Sequence, residues 1–172
     1  MPYAIRLARP DEAGLLREIE RAAAQAFITV GYPALAAGEP TAAEEFRAAA
    51  AENMLAVAVD DHDHPVGFLL AAELDDCLYV QELDVHPDHA GHRLASGLLD
   101  VADAMARQRH RPALTLTTFR DVPWNAPYYA RLGFVPMSVA EIGPDLRMLI
   151  QRQHAAGLDI AKRVAMRRTL PA

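Results

Sequence analysis

The chain has 172 residues, 52% of them apolar, with nine glycines and twelve prolines. This composition belongs to a folded protein with enough length for a core, and it excludes a disordered or low-complexity chain. A formal charge of -6, without arginine or lysine clusters interleaved with aromatic residues, argues against nucleic acid as a partner.

No apolar run reaches the roughly 18 residues of a membrane span, so no membrane partner is expected. The start MPYAIRLARPDEAGLL lacks a basic segment followed by an apolar one, and Cys77 is the single cysteine. A cytoplasmic location and no internal disulfide are therefore expected. The charge is uneven: residues 1–86 carry 16 acidic and 5 basic side chains, residues 87–172 carry 7 and 12. One reading is solvated helix faces; the other is a basic half for a phosphorylated ligand and an acidic half that attracts a cation.

In chain order, Tyr3–Leu7 reads as a strand and Ala8-Arg9-Pro10-Asp11 as a turn into a helix, with Asp11 and Glu12 suited to its positive end. Leu15, Leu16, Ile19 and Ala23 recur at helical spacing and predict a buried stripe. A loop with Gly31, Pro33, Gly38 and Pro40 follows. Thr41 and Glu44 have capping-box spacing and predict a second helix through about Ala50. Met54–Asp60 and Val66–Leu74 read as strands joined by the polar turn 60–65, and Leu78–Val85 as a third, which Pro87 ends. Residues 93–108 are helical in period, with Leu94, Leu98, Val101 and Met105 on one face. Ala113–Thr118 alternates as a strand. Trp124–Leu132 is a short helix closed by Gly133, Phe134–Met137 a brief strand, 144–156 a helix stopped by Gly157, and Arg163–Leu170 the last strand.

Hairpins mixed with crossover helices imply an α+β sheet in which Leu78–Val85 and Ala113–Thr118 run parallel, joined by the helix 93–108. A strand that enters a glycine-containing loop and then a helix is a place for anions, because the first helical amides are free and the dipole favours negative charge. A phosphate-bearing ligand is expected at His89–Ser96.

The stretch Leu83-Asp84-Val85-His86-Pro87-Asp88-His89-Ala90-Gly91-His92-Arg93-Leu94-Ala95-Ser96-Gly97-Leu98-Leu99 resembles the signature of the GNAT superfamily of N-acetyltransferases. About 30 residues on, Asn125-Ala126-Pro127-Tyr128-Tyr129-Ala130-Arg131-Leu132-Gly133-Phe134 resembles that family's second motif. The element order agrees over nearly the whole chain. The resemblance implies a single N-acetyltransferase domain over residues 1–172 with the GNAT acyl-CoA N-acyltransferase fold: a central mixed, mostly antiparallel sheet with a splayed parallel pair, flanked by helices. It also implies transfer of acetyl from acetyl-CoA to a primary amine by direct attack in a ternary complex.

Carried over by position, the main chain of Leu83, Asp84 and Val85 would pair with the pantetheine arm. The amides of Gly91, His92, Arg93, Leu94, Ala95 and Ser96 would hold the pyrophosphate, and Asn125 would bond the pantetheine or acetyl end. Two positions depart from the family: Ala90 replaces its Arg or Gln, and Arg93 its first glycine. Arg93 is expected to keep ordinary helical backbone, its guanidinium free to contact phosphate. Tyr129 matches the tyrosine that protonates the leaving thiolate. The proton of the amine falls to Glu82 at a strand bulge or to a water chain, since Gln81 cannot act as a base.

Phe27, Tyr32 and Trp124, with Asp121, either frame the acceptor or belong to the core. The two histidine sets, 62/64 and 86/89/92, read as a solvated turn and as side chains that need not converge, so no metal is expected. Cys77 reads as inert. The alternative is a non-catalytic acyl-CoA-binding sensor or interaction module on the same fold. Donor acyl length, acceptor identity (small molecule or protein) and a possible homodimer stay open.

Overall fold

The computed structural model describes residues 2–171. Seven strands form one sheet in the order β1-β2-β3-β4-β5-β7-β6. They are β1 (Ala4–Leu7), β2 (Leu55–Val59), β3 (Pro65–Leu74), β4 (Cys77–Val85), β5 (Ala113–Phe119), β6 (Val135–Pro136) and β7 (Arg163–Thr169). The helices are α1 (Ala13–Ala24), α2 (Pro33–Ala36), α3 (Ala43–Ala51), α4 (Leu94–Gln108), α5 (Ala126–Arg131) and α6 (Pro144–Ala155). The pairing is antiparallel in β1–β2, β2–β3, β5–β7 and β6–β7, and parallel in β4–β5. This is the expected mixed, mostly antiparallel α+β sheet.

The chain divides into two compact units, one up to Ala71 together with Glu82–Met105, the other Ala72–Gln81 with the chain from Ala106 onward. In the first, β2 lies between β1 and β3 and all five of its residues are buried, so it reads as an apolar run and not as an alternation. Its core joins Leu16 and Ile19 of α1 and Phe46 of α3 to Leu55, Val57, Phe68 and Leu70. The rings of Phe46 and Phe68 meet edge to face at 5.1 Å, the arrangement their quadrupoles favour.

Two expectations fail in this unit. Leu15 is 47% exposed, because it lies 100° round the helix from Leu16 and so at the flank of the buried stripe. The capping box at Thr41 does not form: α3 begins after Ala42 without a side-chain cap, and the Thr41 amide and hydroxyl donate to Glu20 of α1. The loop after α1 also holds a 3-10 segment, Gln25–Val30, and the single turn of α2.

In the second unit, β5 pairs with β7 along its whole length, from Ala113↔Thr169 to Phe119↔Arg163. Its parallel ladder with β4 covers Leu78↔Leu114 and Tyr79↔Thr115. Tyr79, Leu146 and Ala165 form a core with Leu74, Met137, Ile142, Leu149 and Ile150 around them. Asp75 caps α6 from the β3–β4 turn, its carboxylate accepting the amides of Asp145 (2.9 Å) and Leu146 (3.2 Å).

Candidate functional site

In the first unit, the chain leaves β4 at Val85 with the His86 amide bonded to the Val66 carbonyl. One 3-10 turn, Pro87–His89, leads into the loop before α4. Two residues of that loop are left-handed: Gly91 at φ +83° and Arg93 at φ +58°. The expectation of ordinary helical backbone at Arg93 is thereby overturned. The chain needs a left-handed residue immediately before α4, and arginine adopts there the conformation that glycine enters without strain.

The first bond into the helix is Gly97 N–H to the Arg93 carbonyl at 3.2 Å. Among the described residues, the amides of Gly91, His92, Arg93, Leu94, Ala95 and Ser96 donate to no protein acceptor. A run of open donors at the positive end of a 15-residue helix is a cradle for an anion.

Tyr3 holds this loop to β1, and sequence reasoning missed it. Its hydroxyl meets His89 Nδ1 at 3.0 Å, and its ring lies 5.0 Å from that of His92 and 5.8 Å from that of His89. The rings of His86 and His89 are 6.1 Å apart. His89 and His92 therefore both meet Tyr3, and His86 stands beside His89, although the three sit on a strand end, a turn and a helix start. The place of Tyr3, one residue before β1, gave no sign of this partner. Among the described residues, no group of three or more His, Cys, Asp or Glu side chains is placed to hold a metal ion. His62 and His64 belong to a turn organised by Asp60, whose carboxylate accepts both their amides.

The strand end carries the acids. β4 runs unbroken from Cys77 to Val85, and Glu82, Leu83, Asp84 and Val85 are all half-buried. Alternation places Glu82 and Asp84 on the same face. Burial pushes the Asp84 carboxyl well above the ordinary range, and the charges of Glu82 and Glu20 push it further. Burial also raises Glu20, against its bonds from Thr41. Glu20 escaped sequence analysis because nothing in a helical pattern marks which strand it faces. At the neighbouring position of β3, Gly67 allows close approach: a Cβ there would stand 2.9 Å from the Asp84 carbonyl oxygen.

In the second unit, Asn125 precedes α5. Its side-chain oxygen accepts the Thr118 hydroxyl (2.8 Å) and the Phe119 amide (3.3 Å), and its main-chain carbonyl accepts the Tyr129 amide (3.0 Å). This ties α5 to the end of β5 and leaves the Asn125 side-chain NH2 without an acceptor among the described residues. Tyr129 is half-buried. Its ring sits edge-on to Phe134 (5.6 Å) and Tyr128 (5.8 Å), and its carbonyl accepts the amides of Leu132 and Phe134 to close the helix. Thr117 of β5 gathers Tyr79 (2.9 Å), Gln153 (3.1 Å) and Arg163 (3.2 Å) around its hydroxyl. Cys77 is buried, and burial pushes its thiol above the usual value, which suits an inert residue. Phe27 and Tyr32 are half-buried and Trp124 is 39% exposed, so none of the three belongs to the core.

The family model "Acetyltransferase (GNAT) family" matches residues 15–134. Among solved structures, this chain is similar to an acetyltransferase of the GNAT family from Staphylococcus aureus Mu50, with a TM-score of 0.73, 14% identity, and coverage of 99% of this chain and 100% of that one. It is similar to the Rv2747 protein of Mycobacterium tuberculosis, solved with CoA and NLQ (TM-score 0.68, 16% identity, 98% and 99% covered). It is also similar to the PaiA N-acetyltransferase of Thermoplasma acidophilum, solved with coenzyme A (TM-score 0.64, 14% identity, 99% and 100% covered). At these identities the structures establish the fold. The family model spans both motifs, from α1 to Phe134, and on that ground the chain belongs to the GNAT acetyltransferase family and is an acyltransferase.

Proposed function

We propose that this protein, acting as a single N-acetyltransferase domain, transfers acetyl from acetyl-CoA to a primary amine by direct attack in a ternary complex. The observation that carries this reading is the run of open amides from Gly91 to Ser96 at the head of α4, shaped by the left-handed Gly91 and Arg93. Such a cradle fits a pyrophosphate. Two of the similar structures were solved with coenzyme A, which supports the same ligand class here. The main chain of Leu83, Asp84 and Val85 would pair with the pantetheine arm, and the open NH2 of Asn125 would donate to its amide or acetyl end.

Tyr129 supplies the proton that the departing thiolate takes up. The acceptor ammonium must first lose a proton, to Glu82 or to a water chain beside it. Bound acetyl-CoA contributes the activated thioester; the chain orients it and moves these two protons. The acceptor is a small-molecule amine in this reading, with a protein amine as the other class to be tried.

Acetyl-CoA binding by calorimetry, followed by thiol release against a panel of amines, tests the proposal. Binding with amine-dependent release is the expected result, and binding without release points to the sensor alternative. Tyr129→Phe should lower kcat by about 10²-fold or more, the scale of general acid catalysis, with coenzyme A affinity within about twofold. An equal loss of affinity would make Tyr129 a packing residue.

A further inference from the structure

The open amides from Gly91 to Ser96 leave the loop before α4 without main-chain support. Backbone bonds stop at the Ala90 amide, which donates to Pro87, and resume at the Gly97 amide, which donates to Arg93. Gly91 and Arg93, between them, are left-handed, and among the described residues the exposed Arg93 side chain bonds to nothing. In water the amides of such a loop are satisfied in many conformations, of which few present them together to one anion. Side chains from elsewhere must therefore hold the open form.

The support comes from β1. Tyr3 and Ile5 are two apart, so alternation puts them on one face of the strand, and β2 fixes that face through the pairs Ala4↔Val59 and Ile5↔Ala58. Ile5 lies against the first turn of α4, where a Cβ on Gly97 would run into its Cδ1 methyl. Tyr3 meets the other end of the amide run. Its hydroxyl stands 3.0 Å from His89 Nδ1, and its ring is edge-on to that of His89 at 5.8 Å and 86°. The ring of His92, which carries one of the open amides, lies 5.0 Å from that of Tyr3. The strand thus holds the run at both of its ends.

We propose that Tyr3 is a positioning residue for the donor: it holds the loop open before coenzyme A arrives, so that the pyrophosphate meets amides already in place. This rests on the acetyl-CoA reading above. Ordering a loop at the moment of binding subtracts from affinity, and a contact that orders it beforehand removes that cost. Where only a fraction of the molecules is competent, the apparent Kd rises by the inverse of that fraction. The hydroxyl also sets the state of His89. A phenol O–H is a stronger donor than an imidazole N–H, so it donates to Nδ1 and keeps the ring proton on Nε2. Among the described residues the hydroxyl bonds to His89 and to neither Glu82 nor Tyr129, so its effect falls on donor binding and not on turnover.

The experiment titrates acetyl-CoA into the full chain by calorimetry and measures donor KM and kcat by thiol release with an amine acceptor. Tyr3→Phe keeps the ring and loses the hydroxyl. It should weaken acetyl-CoA binding about three- to tenfold, the scale of one net hydrogen bond, and raise the donor KM alike while kcat holds. His89→Ala should also weaken binding, and adding Tyr3→Phe to it should cost nothing more, because the two changes remove one shared bond. Nitrogen NMR of the imidazoles should show His89 protonated on Nε2 in the wild type and its Nδ1 signal displaced in Tyr3→Phe, with circular dichroism verifying the fold of each variant. Unchanged affinity in Tyr3→Phe, additive losses in the double variant, or an equal fall in kcat would overturn the positioning role while leaving acetyl transfer standing. The expected pattern of binding without thiol release from any amine would overturn the transfer reading and leave the role of Tyr3 standing. A wild-type chain with no affinity for acetyl-CoA would overturn both.

Discussion

Arg93 stands where a left-handed residue is required, and replacing it isolates the cost of that geometry. At φ +58°, an L residue carries about 1–2 kcal/mol relative to ordinary helical backbone. Glycine carries none of this, but it loses about 0.5–1 kcal/mol more chain entropy on folding. The Arg93 side chain is exposed and, among the described residues, makes no ion pair or hydrogen bond, so its removal leaves no buried partner unsatisfied. Arg93→Gly should therefore stabilise the chain by about 0.5–1 kcal/mol, a rise in Tm of roughly 1–4 °C at this length. Arg93→Ala, which loses the same side chain but keeps the strain, should fall about 1 kcal/mol below the glycine variant. Urea unfolding followed by tryptophan fluorescence and by circular dichroism measures both. Acetyl-CoA titration of the two variants then separates backbone from guanidinium: equal weakening in both assigns a phosphate contact to the side chain. An alanine variant as stable as the glycine one would refute the reasoning, since position 93 would then not be left-handed.

Other consequences concern stability. Burial pushes the Glu12 carboxyl up, but the bonds and charges of Arg6 and Arg9 outweigh it and hold the group below its usual value. Its contribution is thus complete above the unfolded pKa and is lost as pH falls through the lower folded one. Glu12→Gln should cost about 2–3 kcal/mol at pH 7, below the full cost of breaking a buried pair because Arg6 keeps Asp63 at 2.8 Å, and urea melts at pH 7 and pH 3 should show the gap to wild type narrowing in acid. Asp84 has the opposite sign. Its pKa is raised, so the fold loses stability as pH rises from the unfolded pKa toward the higher folded one. Asp84→Asn should raise Tm at pH 7, and the advantage should shrink as pH falls toward the ordinary carboxylate range; a constant advantage would deny the burial penalty. At Gly143 a Cβ would collide with the Asp75 carboxyl that caps α6. Gly143→Ala should lose that cap, at about 1–2 kcal/mol by thermal melt, and an unchanged Tm would mean that the turn yields freely.

The sequence alone determined what depends on local pattern. Apolar runs, alternation and period-3.6 spacing, bounded by turn residues, located the strands and the four longer helices to within one to three residues, because burial imposes those patterns directly. Two motifs in order identified the loop before α4 and the Asn125–Tyr129 helix. The tertiary structure decided what depends on which distant residue arrives. Thr41 has the spacing of a cap, yet Glu20 takes its amide, since a half-buried carboxylate gains more from two donors than an exposed helix end does from one hydroxyl. Arg93 was free in sequence to be ordinary helix, and the geometry between β4 and α4 forced it left-handed. Tyr3 meeting His89 and His92, and Glu20 meeting Thr41, join residues tens of positions apart. No periodicity records such meetings, because they are fixed by how elements pack and not by the dihedral angles of any one of them.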